Sequence, residues 1–335
     1  MSLREAIIRF LTTLVTLFGV AVVVFVVIRV APGDPIAMML PPGASDADIE
    51  RLRALYGLDK GIFEQFIIWF GNILSGDFGT SISLRQGVLG IVLNRLPATL
   101  ELAILALLIA VLLGGGLAIL GARYRSSRRE AALDVWNGLS LSVPDFLWGL
   151  FFILCLGVIF PLFPVSGRVS PALNLDFVTQ FYLFEALLTF NGEVLADLLL
   201  HMFLPALALA LPLSAVLAQL LKQSLKEVMG LDYILLARAK GFSEFSVIWR
   251  DGLRNAVLPT LTLVGVQFTF LIGGTVIVEK LFSYEGLGNL AIDAVINRDL
   301  PLIQGIVLCF SVLFVVINLL VDMAYLALNP RLRNG

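Results

Sequence analysis

Six apolar runs without a single Asp, Glu, Lys or Arg interrupt this chain, and they leave few folds open. They cover residues 10–28, 102–122, 146–167, 198–221, 255–278 and 300–321, and the shortest has 19 residues. A helix needs about 20 apolar residues to cross a hydrocarbon core of about 30 Å. Backbone groups in lipid must be satisfied within their own segment, which selects helices. The expected fold is therefore an all-α integral membrane protein with six transmembrane helices. Composition agrees: 59% of residues are hydrophobic, 14% are charged, and the mean hydropathy is +0.96. A soluble chain has about 25% charged residues.

The first run follows Arg4 and Arg9, as a secretory signal would. It is longer than a signal's apolar core and ends in VAPGDP rather than a small-x-small cleavage site, so a retained span is expected. The third run is expected to begin nearer Val135, which places Asp145 inside the membrane. Residues 177–190 (FVTQFYLFEALLTF) are apolar but short and contain Glu185, which points to an interfacial or re-entrant helix.

Orientation follows from the basic residues near the span ends. With both termini cytoplasmic, the inner segments carry Arg4, Arg9, Arg123, Arg125, Arg128, Arg129, Lys222, Lys226, Arg238, Lys240, Arg250, Arg254, Arg331 and Arg333. The two short outer loops carry only Arg168, Lys280 and Arg298.

The expected organisation is residues 1–30 as N-terminus and first span, 31–97 as an extracytoplasmic loop domain, and 98–335 as the remaining five spans. In the loop domain, Asp46, Asp48 and Glu50 suit the first turn of a polar helix starting near Ser45. Residues 63–74 (FEQFIIWFGNIL) have helical apolar spacing, and glycines around Asp77 mark a turn. This domain is too small for a large core of its own. It serves as a lid, a docking surface or plain packing.

The sequence excludes several chemistries. There is no GxxxxGK[ST] phosphate cradle, no HExxH, and no GxSxG with a usable histidine partner. His201 is the one histidine, and Cys155 and Cys309 lie within apolar runs, so neither metal cluster nor disulfide framework is indicated. Nor does a net charge of −2, held in scattered islands, indicate nucleic acid.

Intramembrane polar residues are the remaining candidates, because such groups are costly in lipid and face a bundle interior or a wet path. Asp145 and Gln267 are candidates for a translocation path; for Asp145 a local backbone cap is an equal alternative. Asp322 near an inner end is expected to anchor its helix, Asn318 lies in the same span, and His201 is expected to be satisfied locally. Glu101 is expected to open the second span and serve its N-terminal dipole.

Residues 233–259 (YILLARAKGFSEFSVIWRDGLRNAVLP) form a basic island between two spans. Ala237, Arg238, Ala239 and Lys240 favour helix, and Gly241 supplies a left-handed stop. Ser243 suits an N-cap, with Glu244 in the first turn of a second helix. Phe245, Ile248, Trp249, Gly252 and Ala256 share one face at helical spacing, and Pro259 opens the fifth span. A bulky tip at residues 242–245 on a cytoplasmic loop suits a partner's groove.

ARAKG, eighteen positions before Pro259 of LRNAVLP, resembles the EAA loop of ABC importer permeases in the dipeptide/oligopeptide/nickel branch. APGDP, YGLDK, GDFGTS, LPATLELA, SVPDFLWG, FPVSGRV, FSYEGLGNLAIDAV, RDLPLIQG and NLLVDMAYLALNPRLR agree with it in order and spacing along nearly the whole chain. The motif's glutamate position holds Leu235 and its first alanine Leu236, Asp145 replaces a small or apolar residue, and the long segment 163–200 favours a dipeptide-type permease. The resemblance implies the type I ABC importer architecture in a prokaryotic plasma membrane. It also implies that the chain itself binds no cofactor and is no enzyme, with ATP and magnesium on partner subunits. Implied partners are a second homologous permease, two cytoplasmic ATPases, an extracytoplasmic binding protein and membrane lipid. The coupling loop, residues 222–257, is implied to act through Ala237, Arg238, Ala239, Lys240, Gly241, Phe242, Ser243, Glu244, Arg254, Asn255 and the nearby Pro259. Nickel chelates, haem or glutathione-like solutes are alternative cargo. An ion-coupled secondary transporter is the alternative from another class, although no internal repeat supports it.

Overall fold

The computed structural model describes residues 3–30, 50, 60–173, 175 and 177–328. Among them the chain is helical, with one isolated β-bridge between Thr80 and Gly87. Four helices are long and apolar enough to cross a membrane: Val88–Arg123, Gly192–Val228, Glu244–Leu281 and Leu300–Val321. A fifth crossing results if the bent pair Arg128–Ser142 and Asp145–Ile159 counts as one span. The helix Leu3–Val30 (α1) holds a shorter apolar stretch, Leu11–Val27.

Two compact units emerge. The first comprises Met1–Leu96 and Asn289–Val315. Here α1 meets the helix Ile62–Leu74 (α2), whose Phe66, Trp69 and Phe70 pack edge-on or tilted against Phe18 and Phe25. Such aromatic pairs add specific geometry to apolar burial. Trp69 Nε1 donates to Gln304 Oε1 at 3.1 Å. The expected turn at Asp77 is present, with Gly76 and Gly79 at φ +87° and +80° and Asp77 accepting from Gly79 N–H. The polar helix expected from Ser45 lies largely outside the described residues.

The second unit comprises Pro97–Gly288 and Val316–Gly335. Its central element is the helix Gly192–Val228 (α7), 61% buried over its most apolar window against 33% for each of the other three long spans. Around it pack Arg128–Ser142 (α4), Asp145–Phe152 (α5), the short helix Tyr182–Leu188 (α6) and Leu253–Leu281 (α10). The helix Val88–Arg123 (α3) also touches α7, and its Gly114 has no room for a side chain: a Cβ there would lie 2.6 Å from Ser214 O. Small residues let membrane helices approach this closely. Near the start of α4 and the end of α7, Lys222 pairs with Glu130 at 2.8 Å and Asp134 at 2.6 Å.

Several expectations change here. The third apolar run is no continuous helix. Ser127 caps α4 by accepting from Glu130 N–H, the backbone turns extended at Val143 and Pro144, and α5 leaves at 101° to α4 before a π-helical stretch, Ile153–Ile159. Proline disfavours a helical residue before it, which explains the break. Residues 177–190 form only the seven-residue α6, too short to span. Val178 N–H, Thr179 N–H and the Thr179 hydroxyl all donate to Glu185. These donors, the Thr179 hydroxyl foremost, hold the Glu185 carboxyl below its ordinary pKa. Finally, Pro259 lies inside α10 rather than at its start, so the helix continues through it without the N–H that would bond residue 255.

Candidate functional site

The loop between α7 and α10 is a folded object. Met229, Ile234, Ala237, Val247, Ile248 and Ala256 are buried with Ala118, Leu221 and Leu225 in one apolar cluster that fastens the loop to α3, α7 and α10. Its first helix, Asp232–Ala239 (α8), ends at Lys240, and Gly241 takes φ +83°. Gly241 N–H reaches Arg238 O and Phe242 N–H reaches Ala237 O, satisfying carbonyls the helix end leaves open. Ser243 then caps the next turn, Glu244–Ser246 (α9), by accepting from Ser246 N–H.

Arg238 is tied within the loop. Its guanidinium spans the turn to Glu244, at 2.8 and 3.2 Å. Lys240 is exposed and makes no ion pair among the described residues. Ala239 and Ser243 are exposed beside it. Asn255 Nδ2 donates to the Tyr233 hydroxyl at 2.8 Å, and with Arg250, Asp251 and Arg254 they line a polar hollow of about 490 Å³.

The single apolar face expected across residues 245–256 splits in two. Ile248, Gly252 and Ala256 are buried, whereas Phe245 and Trp249 are 52% and 58% exposed and stack on each other. The cause is a π-helical segment, Val247–Gly252, whose i→i+5 bonds change the number of residues per turn. Phe242 is 42% exposed, with the Arg250 guanidinium 4.5 Å above its ring. Three aromatic rings thus present themselves beside one rigid turn.

Within the apolar body, Asp145 and Gln267 line the same cavity of about 340 Å³. Asp145 is the first residue of α5, after the N-cap Pro144, and its Oδ1 accepts from Phe146 N–H at 2.7 Å.

Residues 106–334 match the family of binding-protein-dependent transport system inner membrane components, and residues 2–103 match that system's N-terminal membrane-component family. The chain belongs to this permease family. It is 36% identical to the oligopeptide transport system permease protein AppB of Bacillus subtilis over 97% of both chains. It is also 37% identical to the glutathione transport system permease protein GsiC of Escherichia coli O1:K1 / APEC over 97% of both chains. A solved methionine ABC transporter, MetNI in inward-facing form, shares the fold at TM-score 0.50 and 14% identity, covering 69% of this chain and 93% of that one. The permease is thus a multi-pass membrane subunit of an ABC importer.

The fold also brings together polar residues that sequence reasoning left apart. Glu101 is no helix N-terminal residue, because α3 begins at Val88. It is buried, pairs with Arg168 at 2.6 Å, and accepts from Leu183 and Phe184 N–H, so the dipole it serves is that of α6. Arg168 also donates to Gln180 O and lies over the Tyr182 ring at 3.9 Å. Nearby, buried Glu279 accepts from the Thr99 hydroxyl at 2.8 Å and Gly288 N–H at 2.7 Å, while Thr99 Oγ1 accepts from Leu287 N–H. A side chain at Gly286 would collide with both Glu279 and Thr99. Burial pushes the Tyr284 phenol well above its ordinary pKa beside these groups. LPATLELA, FPVSGRV and FSYEGLGNLAIDAV therefore meet in one buried polar network.

In the other unit, GDFGTS meets RDLPLIQG: buried Asp299 accepts from the Ser81 hydroxyl at 2.5 Å and from Ser83 N–H and hydroxyl at 2.9 and 2.7 Å. Burial alone would raise the Asp299 carboxyl, but these donors outweigh it and hold its pKa below the ordinary value. His201 is satisfied by Asp197 O at 2.9 Å, as expected. The Asp322 side chain lies outside the described residues.

Proposed function

We propose that this permease forms half of a path by which short peptides enter a prokaryotic cell, driven by ATP that partner subunits hydrolyse. It pairs with a second homologous permease, presents its inner loop to two cytoplasmic ATPases that hold ATP and magnesium, and receives cargo from an extracytoplasmic binding protein. It crosses the membrane six times with both termini cytoplasmic, with α1 and the bent α4–α5 pair completing the six. Residues 31–97 form the extracytoplasmic loop domain in this arrangement. Ala237 to Glu244, with Arg254, Asn255 and Pro259, form the coupling region. Short peptides are supported by the relatives: one is an oligopeptide permease and the other a permease for glutathione, itself a tripeptide.

The Gly241 turn carries this reading. It is tied by Arg238 and Glu244, rooted in a buried cluster, and tipped by Phe242, Phe245 and Trp249. An exposed aromatic patch on a rigid support suits a protein partner's groove, and rigidity lets motion of that partner reach α7 and α10. Gly241→Val is the test. A β-branched residue is strained at φ +83°, so the turn must rearrange while the apolar helices remain insertable. Uptake and cargo-stimulated ATP hydrolysis by the reconstituted complex are expected to fall to background, with the permease still in the membrane. Normal coupling would overturn the assignment.

A further inference from the structure

We infer that Asp145 and Gln267 form a recognition point for the amino end of the cargo, with the carboxylate taking the free ammonium group and the amide taking the first peptide bond. The inference rests on the peptide reading above and goes beyond it by naming the groups that touch cargo. The cavity lies where α4 breaks from α5, against α7 and α10. Its lining holds two polar side chains, Asp145 and Gln267, among apolar ones such as Leu213, Val216 and Phe270.

Neither polar group is satisfied as such groups usually are. The Asp145 carboxylate accepts from the backbone N–H of Phe146, and no cationic side chain pairs with it among the described residues. Carboxylates within a span are costly and as a rule find a partner or a wet path. Here Oδ1 is engaged by Phe146, and a Cβ on Gly274 would stand 3.7 Å from Oδ2, so that oxygen faces a residue with no side chain. Gln267, half-buried in α10, makes no side-chain hydrogen bond among the described residues. Its amide offers an acceptor and two donors, which matches the acceptor and donor of a peptide bond.

The chemistry of the visitor follows from what the walls provide. One carboxylate and one amide oxygen are too few for a calcium or magnesium cage, which needs six or more oxygens. A primary ammonium needs only a carboxylate and a few acceptors, and a hydrogen bond between two charged groups is stronger than a neutral one. The apolar remainder of the wall makes no demand on the cargo's side chains, which suits a transporter of many sequences. Discontinuous helices place such groups in transporters, and the break at Val143 and Pro144 together with Pro212 inside α7 opens the wall here.

The assembled complex in proteoliposomes, with trialanine delivered by saturating binding protein, tests this. Asp145→Asn keeps a side-chain oxygen to accept from Phe146 N–H and removes only the charge. Trialanine uptake is expected to fall about tenfold or more in Asp145→Asn and to recover substantially in Asp145→Glu. Gln267→Leu is expected to lower it by about threefold to tenfold. Uptake within about twofold of wild type in both Asp145→Asn and Gln267→Leu would overturn the inference while leaving peptide import intact. If Asp145→Asn fails to co-purify with its partners, Gln267→Leu and Gly274→Leu, which fills the space beside the carboxylate, decide in the same way. A wild-type complex that hydrolyses ATP but imports no peptide would instead bring down the cargo assignment and this inference with it.

Discussion

Arg168 is a buried cation whose guanidinium is divided among the Glu101 carboxylate, the Gln180 carbonyl and the face of Tyr182. Removing one member of a buried pair leaves the other charge without compensation, at a cost of roughly 3–5 kcal/mol, whereas replacing both by apolar groups is often nearly neutral. Glu101→Gln should therefore lower the thermal unfolding midpoint of the detergent-solubilised permease strongly. The double variant Glu101→Leu, Arg168→Met should be less destabilised than either single change. Additive losses in that cycle would show that the two side chains act independently. The sequence exposed both charges, at the edges of apolar runs, but they stand 67 positions apart and nothing local joins them. From the sequence, Glu101 is expected to open its own helix, since it stands directly before the uncharged run 102–122. In the fold Pro97 sits inside α3, and the N–H groups that Glu101 receives belong to α6.

At the scale of elements, three consecutive glycines, Gly114, Gly115 and Gly116, are equivalent in the sequence and different in the fold. A Cβ on Gly114 would press on Ser214 O and Leu217, backbone and side chain of α7, whereas Gly115 and Gly116 have nothing within 4 Å. Gly114→Ala should destabilise the permease by roughly 1–3 kcal/mol, because helix backbones must separate to admit the methyl group. Alanine at the other two positions should be neutral or stabilising, since it favours helix over glycine. Thermal unfolding of the three single variants checks this, and equal effects at all three would contradict the close approach. Long spans were readable from composition and run length, and the helix, glycine turn and second helix of the inner loop were readable from Gly241 and Ser243. Those features depend on neighbouring residues only. The π-helical segment at Val247–Gly252 was not readable, because its register is set by the burial of Ile248 and Gly252 against α7 and its C-terminal turn. Nor was the size of the bend after Ser142, although Pro144 marked its place.

For the whole molecule, the direction of every loop depends on whether the bent pair α4–α5 crosses the membrane or turns back. A bend of 101° is by itself compatible with either course. We propose a crossing, because Arg123, Arg125, Arg128 and Arg129 cluster before the pair, and Arg168 alone follows it before α7. The contacts agree with this course: Ala118, near the end of α3, packs with Ile234 and Val247 of the loop between α7 and α10, Lys222 pairs with Glu130, and Arg168 reaches Glu101 at the other end of the apolar run of α3. Single cysteines at exposed positions test the choice in a background with Cys155 and Cys309 replaced by alanine. Arg125→Cys and Leu236→Cys should react with an impermeant maleimide only in inside-out vesicles, and Val178→Cys, at a site 94% exposed, only from outside intact cells. Labelling of positions 125 and 178 from the same side would make the pair re-entrant. It would also contradict the Arg168–Glu101 pair and the side of the membrane proposed for the Gly241 turn, and with it the coupling of this permease to an ATPase through that turn.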